Sequence, residues 1–238
     1  MDALARTSNV GENSIFIAGG TGYIGRPLIQ QLVARGHHVR ALVRAGSEKK
    51  LAAGCDPVPG NALDPSSYAD RVAPSSTFVQ LVGVSHPSPA KAAEFRAIDR
   101  ASGLGAIRAA RDAGIQHFVY LSVAQPAPVM KSYIAVRAEC EQALLASGMN
   151  VTILWPWYVL GPGHRWPYAL LPMYWLCEHI PSMREGARRL GLVTLDQMVR
   201  SLVSAIENPS IGARFIDVPQ IRTGNVPASE PLKAASSA

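Results

Sequence analysis

A glycine triplet spaced Gly19-x-x-Gly22-x-x-Gly25 stands between a short apolar run and a stretch of helical periodicity. No other part of the chain constrains the fold as much. The run Ile15-Phe16-Ile17-Ala18 reads as a buried strand, and Leu28, Ile29, Leu32 and Val33 recur at helical spacing beyond the glycines. Gly36 supplies a left-handed helix cap, and His38 to Val43 reads as a second strand. Strand, glycine turn, helix and strand within about 30 residues form one βαβ unit. The first glycine permits the tight turn, the middle one lets a pyrophosphate approach the backbone, and the last lets helix and strand pack without an intervening Cβ. Free N–H groups and the positive end of the helix dipole then face an anion. Thr21, Tyr23 and Ile24 complete the expected cofactor turn, Thr21 adding a hydroxyl at the helix start. The opposing reading is a glycine turn that holds no ligand.

The end of the second strand bears on which dinucleotide fits. A site for NAD carries Asp or Glu there, bonding the ribose 2′-OH. This chain has Leu42-Val43-Arg44-Ala45-Gly46-Ser47, with Arg40 upstream and Lys49-Lys50 downstream. A guanidinium suits a 2′-phosphate, so NADP is expected in preference to NAD. The alternative is that Arg44 is a solvated charge at a strand end.

GGTGYIG followed by a strand ending LVR resembles the N-terminal signature of the atypical short-chain dehydrogenase/reductase group, which includes NmrA-like and NAD(P)H-binding reductases. The resemblance runs from about Ser14 to about Arg222 and implies a Rossmann fold with its substrate lobe in the C-terminal half. It also implies that the loop after the third strand lies beside the adenine. That loop is Gly60-Asn61-Ala62 here, with Asn61 where the family has aspartate. Asn61 and Ala62 are therefore candidate cofactor contacts, although Gly-Asn is also ordinary turn chemistry.

The rest of the chain alternates strands and helices. Asp56 to Pro59 reads as the third strand, Pro65 as a helix start, and Thr77 to Gly83 as the fourth strand. Leu81, Val82 and Gly83 then lie at the binding edge, with Gly83 leaving room for the cofactor. A long helix is expected over 90–113, a strand over 116–122 ending at Ser122, a helix over 131–147 and a strand over 151–155 followed by Pro156. This pattern gives an α/β fold, a Rossmann-type doubly wound parallel sheet. Right-handed crossovers bring Gly19, Arg44, Gly83, Ser122 and Pro156 to one edge. Beyond Gly161 the pattern loosens into a short apolar helix over 168–180, a strand near 190–193, a helix capped by Thr194 and a last strand over 214–218. One NAD(P)-binding domain over 14–222 is expected, with about 157–222 forming a small substrate lobe and 1–13 and 223–238 flexible.

Short-chain dehydrogenases use Tyr-x-x-x-Lys on a helix, with a serine from the preceding strand. The spacing sets both side chains on one helix face. The ammonium lowers the phenol pKa, so the tyrosine can exchange a proton with the substrate oxygen. This chain offers Tyr133, Arg137 and Ser122. Arg137 keeps the charge but does not deprotonate near neutral pH, so it is no proton relay. The alternative reading makes Arg137 a surface charge paired with Glu141 at i+4, and Tyr133 an amphipathic residue with its hydroxyl in water. His86 and His164 are weaker alternatives as acids. Trp157, Tyr158, Trp166, Tyr168, Tyr174 and Trp175 are candidate walls of an apolar pocket.

Composition narrows the function classes. The 48% apolar and 17% charged content suits a buried α/β core. A net charge of +6 comes without a lysine block or a basic stripe interleaved with aromatics, so no nucleic-acid partner is expected. Cys55, Cys140 and Cys177 lie far apart, without metal or redox spacing, which points to a reducing, cytoplasmic setting and no metal. The first thirteen residues lack an apolar core, so no signal peptide is expected, and no stretch is long enough to span a bilayer. Two readings stand: an NADP-dependent oxidoreductase for a small apolar carbonyl or quinone-like substrate, or a non-catalytic redox sensor or structural subunit.

Overall fold

The computed structural model describes residues 14–85, 87–162, 169–225 and 227. Seven parallel strands form the main sheet: β1 (Ser14–Ala18), β2 (His38–Val43), β3 (Asp56–Pro59), β4 (Thr77–Gln80), β5 (His117–Leu121), β6 (Asn150–Leu154) and β9 (Ala213–Ile216). Their order is β3-β2-β1-β4-β5-β6-β9. The direction of winding reverses between β1 and β4, the switch point at which such sheets hold ligands beyond their strand ends. Two short strands, β7 (Tyr158–Leu160) and β8 (Leu192–Thr194), pair in parallel apart from the main sheet.

Strand alternation sends side chains into two cores. Ile15 and Ile17 join Leu28, Ile29 and Leu32 of α1 (Gly25–Ala34) and Met198, Val199 and Leu202 of α7 (Leu195–Glu207). Phe16 and Ala18 face the other way, onto Ala106 and Ile107 of α3 (Ala101–Asp112) and Cys140 and Leu144 of α4 (Lys131–Leu145). Both faces are covered, which is why the strands read as continuous apolar runs. Gly36 caps α1 at φ +85°, as the sequence suggests. The Thr194 cap is a full capping box with Gln197.

Several expectations need correction. β4 stops at Gln80, and Leu81 to Gly83 continue as loop. The helix expected over 90–113 is broken: α2 (Ala92–Glu94) passes into a π-helical segment, Phe95–Arg100, before α3. Pro65 opens two 3-10 turns, Pro65–Ser67 and Ala69–Arg71, in place of a longer helix. The apolar stretch before Ile180 forms α5 (Leu171–His179), and α6 (Pro181–Arg189), β7 and α8 (Val218–Thr223) are additions the sequence reading lacked. The expected flexible ends, 1–13 and 228–238, lie outside the described residues, whereas Thr223 closes α8.

Candidate functional site

The glycine loop joins β1 to α1 at the switch point. Gly19 sits at φ +96°, and a Cβ there would come 3.0 Å from the Leu81 carbonyl carbon and 3.1 Å from the Val82 nitrogen. The loop thus lies directly on Leu81-Val82. A Cβ on Gly25 would meet the Gly19 carbonyl oxygen and come 2.8 Å from the Gly20 Cα, so only glycine lets the helix start this close to the strand. Gly22 is exposed on the outer face of the turn, its amide donating to the Gly19 carbonyl at 3.1 Å. No side chain caps α1. The amides of Thr21 and Ile24 make no hydrogen bond among the described residues. Open amides on a helix N-terminus, beside a glycine with no side chain in the way, fit a pyrophosphate.

Arg44 follows β2 directly, and its side chain is exposed with no hydrogen bond or ion pair among the described residues. The first acid beyond the strand is Glu48, whose carboxylate accepts from the Gly46 amide at 3.1 Å. Arg40 does not share this edge, because its guanidinium donates to the carbonyls of Val72 and Ala73. Asn61 closes a local turn: its Oδ1 accepts from the Leu63 amide at 3.1 Å, which leaves the amide nitrogen for a ligand. Ala62 packs on the core beneath it.

The three catalytic candidates take different hydrogen-bond partners. Arg137 and Tyr133 do meet: the guanidinium carbon lies 5.1 Å from the Tyr133 ring centre and 5.6 Å from that of Tyr120. Arg137 is no surface charge and does not pair with Glu141. It is buried, ion-paired with Asp99 at 2.5 Å, and donates to the Leu121 carbonyl at 2.8 Å and the Tyr120 hydroxyl at 3.3 Å. Tyr133 packs on Phe95, ring centres 4.9 Å apart. Burial raises its phenol pKa above the usual value, against the opposing pull of Arg137. Ser122 turns elsewhere and donates its hydroxyl to Glu141. That buried carboxylate also accepts from Trp155 Nε1 and Gln125 Nε2, both at 2.9 Å. Desolvation raises the Glu141 carboxyl pKa, opposed by these donors and by Arg137.

Asp99 and Glu141 are the residues the sequence reading missed. Asp99 stands four residues after Phe95, and Glu141 one after Cys140 and three before Leu144, so both fall on apolar helix faces. An acid in that position is the available signal, since a buried carboxylate needs partners.

Trp157 and Tyr158 form an edge-on pair, ring centres 5.8 Å apart. Trp175 is 65% exposed and lies against His179, ring centres 4.4 Å apart and tilted. His86, His164, Trp166 and Tyr168 lie outside the described residues. Pro156 is buried, and its carbonyl accepts from the Ala124 amide at 2.9 Å. Among the described residues no group of three or more His, Cys, Asp or Glu is placed to hold a metal, and no helix is long and apolar enough to cross a membrane.

Residues 19–164 match a family model described as NAD(P)H-binding. A ketoreductase of Stigmatella aurantiaca, named for 4-hydroxy-2-methyl-3-oxo-4-farnesyl-3,4-dihydroquinoline-1-oxide, is 31% identical over 61% of this chain and 50% of its own length. The chain thus spans about half of that relative. A ceramide reductase of Caulobacter vibrioides is 23% identical over 93% of this chain and 69% of its own. Among solved structures, Bordetella bronchiseptica WbmH in complex with NAD+ superposes with a TM-score of 0.65 at 19% identity, covering 86% of this chain and 75% of that one. The Thermus thermophilus UDP-glucose 4-epimerase complex with NAD gives 0.63 at 16% identity, covering 92% and 86%. At these identities the superpositions speak for the fold alone.

Proposed function

Because this chain belongs to the NAD(P)H-binding family of short-chain dehydrogenase/reductase-like proteins, we propose that it binds NADP(H) and reduces a small apolar carbonyl or quinone-like substrate. The observation that carries this reading is the open glycine turn on the switch point, with Arg44 at the end of β2 unpaired among the described residues. Thr21 and Ile24 would hold the pyrophosphate, Arg44 the 2′-phosphate, and Asn61 the adenine edge. Gly83 and Pro156 would flank the nicotinamide end. Bound there, the cofactor would supply the hydride for a carbonyl carbon. Tyr133 is the proton donor to the carbonyl oxygen, and its phenolate is reprotonated from water. The names of the relatives, a ketoreductase for a farnesylated quinoline and a ceramide reductase, support an apolar substrate class. Three free cysteines suit a cytoplasmic setting.

The test is an NADPH-oxidation screen over apolar ketones, enones and quinones, repeated with Tyr133→Phe. A reductase shows turnover that falls ~100-fold or more in the variant. Turnover unchanged in Tyr133→Phe removes that residue from the chemistry. A second reading, a non-catalytic NADP-binding sensor or structural subunit, is favoured by one observation: Ser122 is bound to Glu141 and Arg137 to Asp99, so neither is free for a substrate. NADPH binding without turnover on any substrate supports it.

A further inference from the structure

Beneath Gly83 lies an ion pair closed off from water. The Asp99 side chain is fully buried and that of Arg137 is 5% exposed. Asp99 arrives on the π-helical segment, a wide turn of the kind often found at functional sites. One of its oxygens takes the Arg137 guanidinium and the other accepts the Val84 amide at 3.1 Å. The guanidinium is held between two phenol rings, Tyr120 from β5 and Tyr133 from α4. A side chain on Gly83 would strike both members of the pair. The ionisable groups facing Arg137 are Asp99 from the π segment, Tyr120 from β5, and Tyr133, Cys140 and Glu141 from its own helix.

A lone cation under a phenol favours phenolate. Here the cation has a carboxylate at contact distance, so the pair presents a dipole to Tyr133 in place of a net charge. Burial of the phenol then prevails: its pKa is raised, with Asp99 adding to the rise and Arg137 opposing it. We infer that Asp99 is a positioning residue for Tyr133: it neutralises Arg137 and pins the guanidinium against the Tyr133 ring, reserving the phenol as a proton donor. The inference rests on the reductase reading for its purpose. In that reaction the carbonyl oxygen takes the phenol proton as its carbon takes the hydride, and alcohol oxidation would need Tyr133 already ionised. The site is therefore biased towards reduction at neutral pH.

The test does not require turnover. Ultraviolet tyrosinate titration of the protein without nucleotide, taken as the difference between the parent and Tyr133→Phe, isolates the Tyr133 step. In the parent that step should lie above the ordinary tyrosine range. Asp99→Asn uncovers the Arg137 charge and should move it down by about one pH unit or more. Asp99→Glu, which restores a carboxylate, should move it back. An unchanged step in Asp99→Asn overturns the proposal. Because breaking a buried pair is strongly destabilising, that variant can fail to fold. The double variant Asp99→Asn/Arg137→Gln removes both charges and, read beside Arg137→Gln alone, which leaves the Asp99 charge uncovered and should raise the step, tests the proposal without the single Asp99 variant. If the pair is neutral towards Tyr133, the double variant titrates like the parent. A step about one unit or more above the parent would show Arg137 acting uncompensated and would overturn the proposal. If the titrations come out as stated while no carbonyl is reduced, the positioning stands and the reductase reading falls.

Discussion

Ser122 gives its hydroxyl proton to Glu141, a carboxylate from the third turn of α4, and not to the open end of the sheet. The bond ties β5 to α4 and, through Trp155 Nε1, to the end of β6. Ser122→Ala should then cost stability, about 1–3 kcal/mol for a bond to a buried charged group, and leave any turnover within a few-fold of the parent. Chemical denaturation read beside an NADPH-oxidation assay checks this. A ~100-fold loss of turnover at unchanged stability would restore Ser122 to the catalytic site.

The nucleotide preference follows from Arg44. NADPH should raise the melting temperature more than NADH, and Arg44→Asp should reverse the order, because a carboxylate repels a 2′-phosphate and accepts from a 2′-OH. Arg44 is exposed, so the contrast should shrink at high salt. Equal shifts with both nucleotides would take Arg44 out of the cofactor site.

Gly22 and Gly25 should fail in different ways. A Cβ on Gly22 would come 3.2 Å from the Gly19 oxygen, a tight but adjustable approach on an exposed turn. Gly22→Val should therefore fold and lose nucleotide binding. At Gly25 the added carbon meets backbone on two sides, so Gly25→Ala should cost about 1–3 kcal/mol before any ligand is added. Circular dichroism melts with and without NADPH separate the two effects.

Acid should destabilise the fold through His117. Burial, with help from Arg214, pushes its imidazole from 6.5 down to about 4, and its Nε2 bonds the Thr152 hydroxyl. Between these two values the unfolded chain takes a proton that the folded one refuses. Stability should be level above pH 6.5 and decline as pH falls towards 4, by at most about 3 kcal/mol. His117→Gln should flatten that slope in urea midpoints measured across the range.

What could be read from the sequence was what is local. The glycine turn, the β1 to β6 order and the Thr194 cap each depend on residues within one or two turns of one another. The Asp217-Val218-Pro219-Gln220 stretch carried a legible capping box as well, which the structure shows opening α8. The fate of Arg137 could not be read this way. Its partner lies 38 residues upstream, on a π turn that shifts the helical phase, so spacing along α4 suggested Glu141 instead. β7 escaped notice because a three-residue strand, set between Pro156-Trp157 and Gly161, is too short to show alternation.

Gly83, Asp99 and Arg137 stand on a loop, a π turn and a helix, yet each occupies room the others define. A side chain at the first position would evict the guanidinium, loss of the second would strand it, and a shorter cation at the third would leave the glycine's space vacant. The three positions should therefore vary together or not at all as the protein diverges, so that the absence of a side chain at Gly83 becomes an inherited trait of the arginine on α4.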